Sequence, residues 1–136
     1  MAPLLVLLTV YLLGLFLDLG SAITKADGLD QSLSLAAAAA STQVSATDFY
    51  QDGLVVLNSA AARDAAISQL DATIPKNAVL AALPQVKVLA GSVCIRASEL
   101  ISMPFALIPG TSQQITYSAS SSAIAKGSGT NVAPQC

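Results

Sequence analysis

Residues 2–20 read APLLVLLTVYLLGLFLDLG, and the fold turns on what such a segment is for. No charged residue occurs from Ala2 to Leu17, and Asp18 ends the run. Sixteen residues at about 1.5 Å each make roughly 24 Å of helix, short of a ~30 Å hydrocarbon core. Continuing through Leu19, Gly20, Ser21, Ala22 and Ile23 reaches a spanning length, with Asp18 inside it near one end. A carboxylate there is cheaper than at the centre, where scales give about 2.5–3.5 kcal/mol. Three uses of the segment compete: a signal peptide, a membrane anchor, or the core helix of a filament subunit. A signal peptide needs a basic region before its apolar run, which is missing here, although Gly20-Ser21-Ala22 offers a weak cleavage site. The expectation is a retained helix.

Downstream residues extend it. KADGLDQSLSLAAAAASTQ (25–43) is rich in helix formers, and Leu29, Leu33, Ala36, Ala37 and Ala40 recur at three- and four-residue spacing. Gly28 is a weak point where a kink is expected. One helix over 3–46, about 65 Å long, is the predicted element. Its small residues suit close helix packing in apolar surroundings, and the plainer alternative is an Ala-rich stalk.

Beyond the helix the pattern changes twice. SATDFYQDGLVVLN (45–58) reads as a connection with a turn at Asp52-Gly53 and with Phe49 and Tyr50 packed back on the helix. Asn58 or Ser59 caps a second helix, AAARDAAISQLDAT, on which Ala62, Ala66, Ile67 and Leu70 share a face. Ile74-Pro75 ends it, and NAVLAAL (77–83) reads as a further helical turn. The period then becomes two. QVKVLAGSVCIRAS and QQITYSASSSAIA alternate, the latter with Ile115, Tyr117, Ala119 and Ala123 on one side and Gln114, Thr116, Ser118, Ser120 and Ser122 on the other. ELISMPFALIPGT between them reads as an edge strand leading to a Pro109-Gly110 turn. The predicted class is α+β, with a helix (1–46), a small extracellular domain (47–126) and a Gly/Ser/Pro tail (127–136).

Composition narrows function. The 136 residues carry a net charge of −2 and only 10 % charged side chains, so a nucleic-acid partner is not expected. With no histidine, the usual general base, the commonest metal ligand and every Ser-His or Cys-His dyad are missing. The remaining carboxylates have no ligand spacing, and neither a phosphate-cradling glycine loop nor a zinc-type cysteine pattern occurs. The expectation is a protein that is not an enzyme, with no catalytic residue, cofactor, metal or small-molecule substrate. Cys94 and Cys136 are the only cysteines. An extracytoplasmic location favours a disulfide between them, against the alternative of two separate thiols.

Four features in order carry a resemblance. The apolar segment ends in Asp18-Leu19-Gly20; Asp30 is followed by QSLSLAAAAAS; an aromatic-glycine connection precedes AAARDAAISQL; MPFALIPG and ITYSASSSAIA close the series. Over roughly residues 2–125 the chain resembles the TadE/TadG-like, pilin-related proteins of tight-adherence (Flp, type IV-like) pili. The resemblance implies a pilin-like subunit cut from its leader by a prepilin peptidase. Such a subunit is held in the cytoplasmic membrane and then built into an extracellular, adhesive filament with copies or relatives of itself. Leu4, Leu5, Leu8, Leu12, Phe16, Asp18, Leu29, Leu33 and Ala37 would form the assembly helix. Pilins of this type carry Glu at the fifth mature position, which is Leu5 here if Met1 is the mature start. A minor subunit, or one that needs a partner, is therefore as consistent as a major pilin. Asp18 is read either as a headgroup-level end to the span or as the partner of a neighbour's amine or of Lys25. The Pro-flanked run holding Met103, Phe105, Leu107 and Ile108 is read either as a subunit contact or as the cap of the sheet. The competing functions are a monomeric membrane-anchored surface protein and a secreted binding domain released from a signal peptide.

Overall fold

The computed structural model describes residues 2–103, 114–127 and 136. Helix α1 runs unbroken from Ala2 to Ser41, five residues short of the expected end. It stops because the next backbone groups bond elsewhere: Ser45 donates to the Val56 carbonyl (2.7 Å), and Asn58 donates to the Gln43 carbonyl (2.9 Å). Val44 and Leu57 then form an isolated antiparallel bridge.

The connection contains a helix that the expectation lacked, α2 (Ala46–Asp52). Ser45 caps its start by accepting from the Asp48 N–H, and Gly53 ends it in the left-handed region at φ 66°. Phe49 and Tyr50 do not pack back on α1. Both rings are exposed and meet edge to face, with centroids 5.7 Å apart. In α3 (Ser59–Thr73), Asn58 is the cap and Ala62, Ala66 and Leu70 are buried, while Ile67 stays exposed.

Four strands follow: β1 (Val79–Leu80), β2 (Gln85–Leu89), β3 (Ser92–Ser102) and β4 (Gln114–Ile124). All pairing is antiparallel and centres on β3. Along one edge β3 carries β2 (Gln85↔Arg96 to Leu89↔Ser92) and then β1 (Val79↔Leu100, Leu80↔Glu99). Along the other it pairs with β4 from Ser92↔Ile124 to Ser102↔Gln114. Two expectations change. Val79–Leu80 is strand, not a helical turn, because it completes the edge of β3. Glu99–Ser102 is the second half of the central strand, not a separate edge strand. The Pro109-Gly110 turn and residues 128–135 of the tail lie outside the described residues.

The sheet is covered on one face. Val93, Ile95, Ala97, Glu99 and Ile101 alternate inward from β3 and are buried. One core joins them, Glu99 and Ile101 apart, to Ala119 of β4, to Ala62, Ala66 and Leu70 of α3, and to Leu29, Leu33, Ala36, Ala37 and Ala40 of α1. The second half of α1 therefore belongs to the domain, and the core crosses the division drawn at residue 46. Fold class agrees with expectation: a long apolar N-terminal helix, two further helices and a small antiparallel sheet.

Candidate functional site

The first half of α1 has almost no cover. Leu4 and Phe16 are each 73 % exposed, and Leu5, Leu8, Leu12 and the large apolar residues between them are exposed too. This helix is long and apolar enough to cross a membrane. Three of its serine and threonine hydroxyls bond to carbonyls of the helix itself. Thr9 donates to the Val6 carbonyl (2.8 Å), Ser21 to that of Asp18 (3.0 Å) and Thr24 to that of Gly20 (2.9 Å). Back-bonding of this kind lets polar side chains sit in apolar surroundings.

The expected assembly helix splits in two. Leu4, Leu5, Leu8, Leu12 and Phe16 are open to another molecule, whereas Leu29, Leu33 and Ala37 are covered by the chain's own α3 and sheet. Those three are core residues, so the apolar surface open to a partner is shorter than the stripe read from the sequence. The reason is that an Ala/Leu stripe meets a small-residue sheet face as readily as another helix.

Asp18 lies where the two halves meet. It is 5 % exposed, while its neighbours Leu17 and Leu19 are 54 % and 60 % exposed. The carboxylate is thus turned inward rather than outward towards a headgroup layer. It borders an apolar cleft of about 440 Å³ between α1 and the end of the sheet, lined by Leu12, Leu15, Phe16, Leu19, Met103 and Ile115. Of the residues expected at a subunit contact, half-buried Met103 lines this cleft; Phe105, Leu107 and Ile108 lie outside the described residues.

A polar layer sits one step further along the sheet. The Tyr117 hydroxyl donates to the Asp30 carboxylate (3.1 Å), and that bond holds the phenol's pKa above its ordinary value. Glu99, 4 % exposed, has its pKa raised by burial, opposed by the charge of Lys25. Sequence reading missed both groups. The signal was present for Glu99: it occupies a position where the alternation Val93, Ile95, Ala97, Ile101 calls for an apolar side chain.

Cys94 and Cys136 are joined by a disulfide, with Cα atoms 5.8 Å apart. The bridge brings the chain's last residue to the outer face of β3, where Arg96 donates to the Cys136 carbonyl. That face is polar, and Ser98 and Ser118 share a hydrogen bond of 2.8 Å across β3 and β4. Among the described residues there is no group of three or more His, Cys, Asp or Glu side chains placed to hold a metal.

No protein-family model, curated protein or solved structure matches this chain.

Proposed function

We propose that this protein is a pilin-like structural subunit, held in a membrane by the front half of α1 and then assembled through that half into an extracellular type IV-like filament. The observation that carries the reading is the division of one continuous helix. Residues 29–40 bury their stripe in the domain, and residues 4–19 present bare aliphatic surface on nearly every side. At about 1.5–3 kcal/mol for each large side chain fully buried, that surface strongly favours an apolar partner over water. A helix fixed rigidly to a small domain can exchange lipid for neighbouring helices without refolding. The Ser-rich outer sheet face and the disulfide suit the filament's exterior, where adhesion would occur.

Photo-crosslinking tests this. A photoreactive side chain at Leu8 or Leu12 should yield dimers and higher ladders in filaments sheared from the surface, and one at Ser120 should not. If Leu8 and Leu12 give only lipid adducts of a single chain, the monomeric membrane-anchored reading replaces this one.

A further inference from the structure

The two sulfurs of the disulfide have different neighbours. Cys94 lies on the outer face of β3, directly across the ladder from Lys87 of β2 and from Ser122 of β4. Side chains so paired on one face have Cβ atoms about 4.5–5.5 Å apart, which brings the Lys87 ammonium within reach of the Cys94 sulfur. Arg96, two residues along β3 on the same face, is the second cation there, and its guanidinium donates to the Cys136 carbonyl. No strand carboxylate offsets them: Glu99 is the only acidic residue in the four strands, and it is buried on the opposite face. The Cys136 sulfur, by contrast, lies 3.4 Å from the Ser121 carbonyl oxygen. A neighbouring cation favours a thiolate, whereas a carbonyl oxygen favours the protonated thiol by accepting from it. Of the two sulfurs, Cys94 is therefore the better leaving group.

Opening this bridge leaves the core untouched. Val93 and Ile95, on either side of Cys94, turn to the other face and belong to the core cluster. Both cysteines are only partly buried, and Lys87 and Arg96 are exposed. Accessible disulfides are the ones that exchange with external thiols, and exchange is faster when the departing sulfur is the more stable thiolate.

We propose that Cys94–Cys136 is a thiol-exchange site, at which an external thiol is taken up on Cys136 while Cys94 departs as the thiolate. The attacking thiolate bonds to the Cys136 sulfur as the bond between the two cysteine sulfurs breaks. The electron pair of the broken bond leaves on Cys94, beside Lys87. One disulfide replaces another, so no oxidant or further reductant is consumed. The product carries the thiol on Cys136, and that residue is no longer tied to β3. This holds whether or not the chain assembles into a filament.

The probe is 2-mercaptoethanol, an uncharged thiol. Full-length protein in mild detergent, without denaturant, would be exposed to it briefly near neutral pH, quenched in acid, alkylated with N-ethylmaleimide and mapped by peptide mass spectrometry. The first adduct should sit on Cys136, with the maleimide on Cys94. Lys87→Gln should slow this first exchange about threefold, by removing one charge that stabilises the departing thiolate. Lys87→Arg keeps the charge and should keep the rate, and added salt should slow the native chain by screening it. A first adduct on Cys94, or adducts divided equally between the two cysteines, overturns the assignment. So does an unchanged rate in Lys87→Gln, or equal slowing in Lys87→Arg, which would make Lys87 a packing residue only. A bridge that resists the thiol until urea unfolds the domain also overturns it.

Discussion

Leu33→Ala offers the sharpest division between the two halves of α1. Leu33 is fully buried and lies in a cluster made largely of alanines: Ala36, Ala37, Ala40, Ala62, Ala66 and Ala97. Losing three buried carbon groups removes about 2.4 kcal/mol of transfer free energy at ~0.8 each. Alanine methyls are fixed to the backbone and cannot swing into the void. An unrelaxed cavity of about 70 Å³ at ~24 cal/mol per Å³ adds about 1.7 kcal/mol. The total is about 4 kcal/mol, a large part of the ~5–15 kcal/mol that stabilises a typical domain. With a urea slope of about 1.5 kcal/mol per M, the midpoint should fall by roughly 2.5 M. Full-length protein in mild detergent, followed by circular dichroism with the disulfide intact, reads this directly. Leu8→Ala is the comparison, since Leu8 is about half exposed and outside the core. It should leave the domain's midpoint in place and reduce filament yield. A loss below about 1 kcal/mol for Leu33→Ala, or equal losses at both positions, would refute the packing argument.

Three further outcomes follow from the domain. Replacing Cys94 and Cys136 by serine should give no mass change with reductant, where the native chain gains two hydrogens; opening a loop of about 43 residues should cost up to ~4 kcal/mol in the chain-entropy model, measured as a lower melting temperature. Glu99 has a folded-state pKa above the unfolded 4.5, so its contribution to stability is fully present below 4.5 and is lost as pH rises through the folded value. Melting temperature should therefore rise on acidification towards that point, Glu99→Gln should flatten the dependence and raise stability at neutral pH, and Lys25→Met should steepen it. Asn58 accepts from the Ala61 N–H at 3.1 Å, and Asn58→Ala should cost about 1 kcal/mol of α3 stability in the same melts.

The fold was legible in the sequence where one period ran long enough to dominate. The helix from Pro3 to Ala40, the Asn58-capped helix, and the alternation in β2 and β4 are all periodic over many residues. Failures occurred where tertiary pairing overrode local preference. Val79-Leu80 sits in an Ala/Leu stretch with helical propensity, yet its backbone pairs with Leu100 and Glu99. Glu99 broke the inward alternation and split β3 in the reading, because a buried carboxylate is indistinguishable from a strand end without its surroundings. Helix α2 was missed although Ser45 and Asp48 have the spacing of an N-terminal cap and Gly53 that of a stop. Seven residues are too few for periodicity to show. Along α1 the apolar pattern marked both halves as sticky, but only packing shows that Leu29, Leu33 and Ala37 are satisfied internally while Leu4 to Phe16 are not.

Gly20 carries the same separation one step further. It lies in the interior of α1, exposed, and a Cβ added there would meet no atom within 4 Å. Glycine at such a position costs about 0.5–1 kcal/mol relative to alanine, and among the described residues nothing stands where its Cβ would clash. In the filament proposed above, a missing side chain here would let another helix backbone approach closely. Gly20→Ala should therefore raise the monomer's melting temperature slightly and lower filament yield, two readouts moving in opposite directions. Unchanged yield would place Gly20 away from any helix–helix contact and would leave assembly to the leucines between residues 4 and 19.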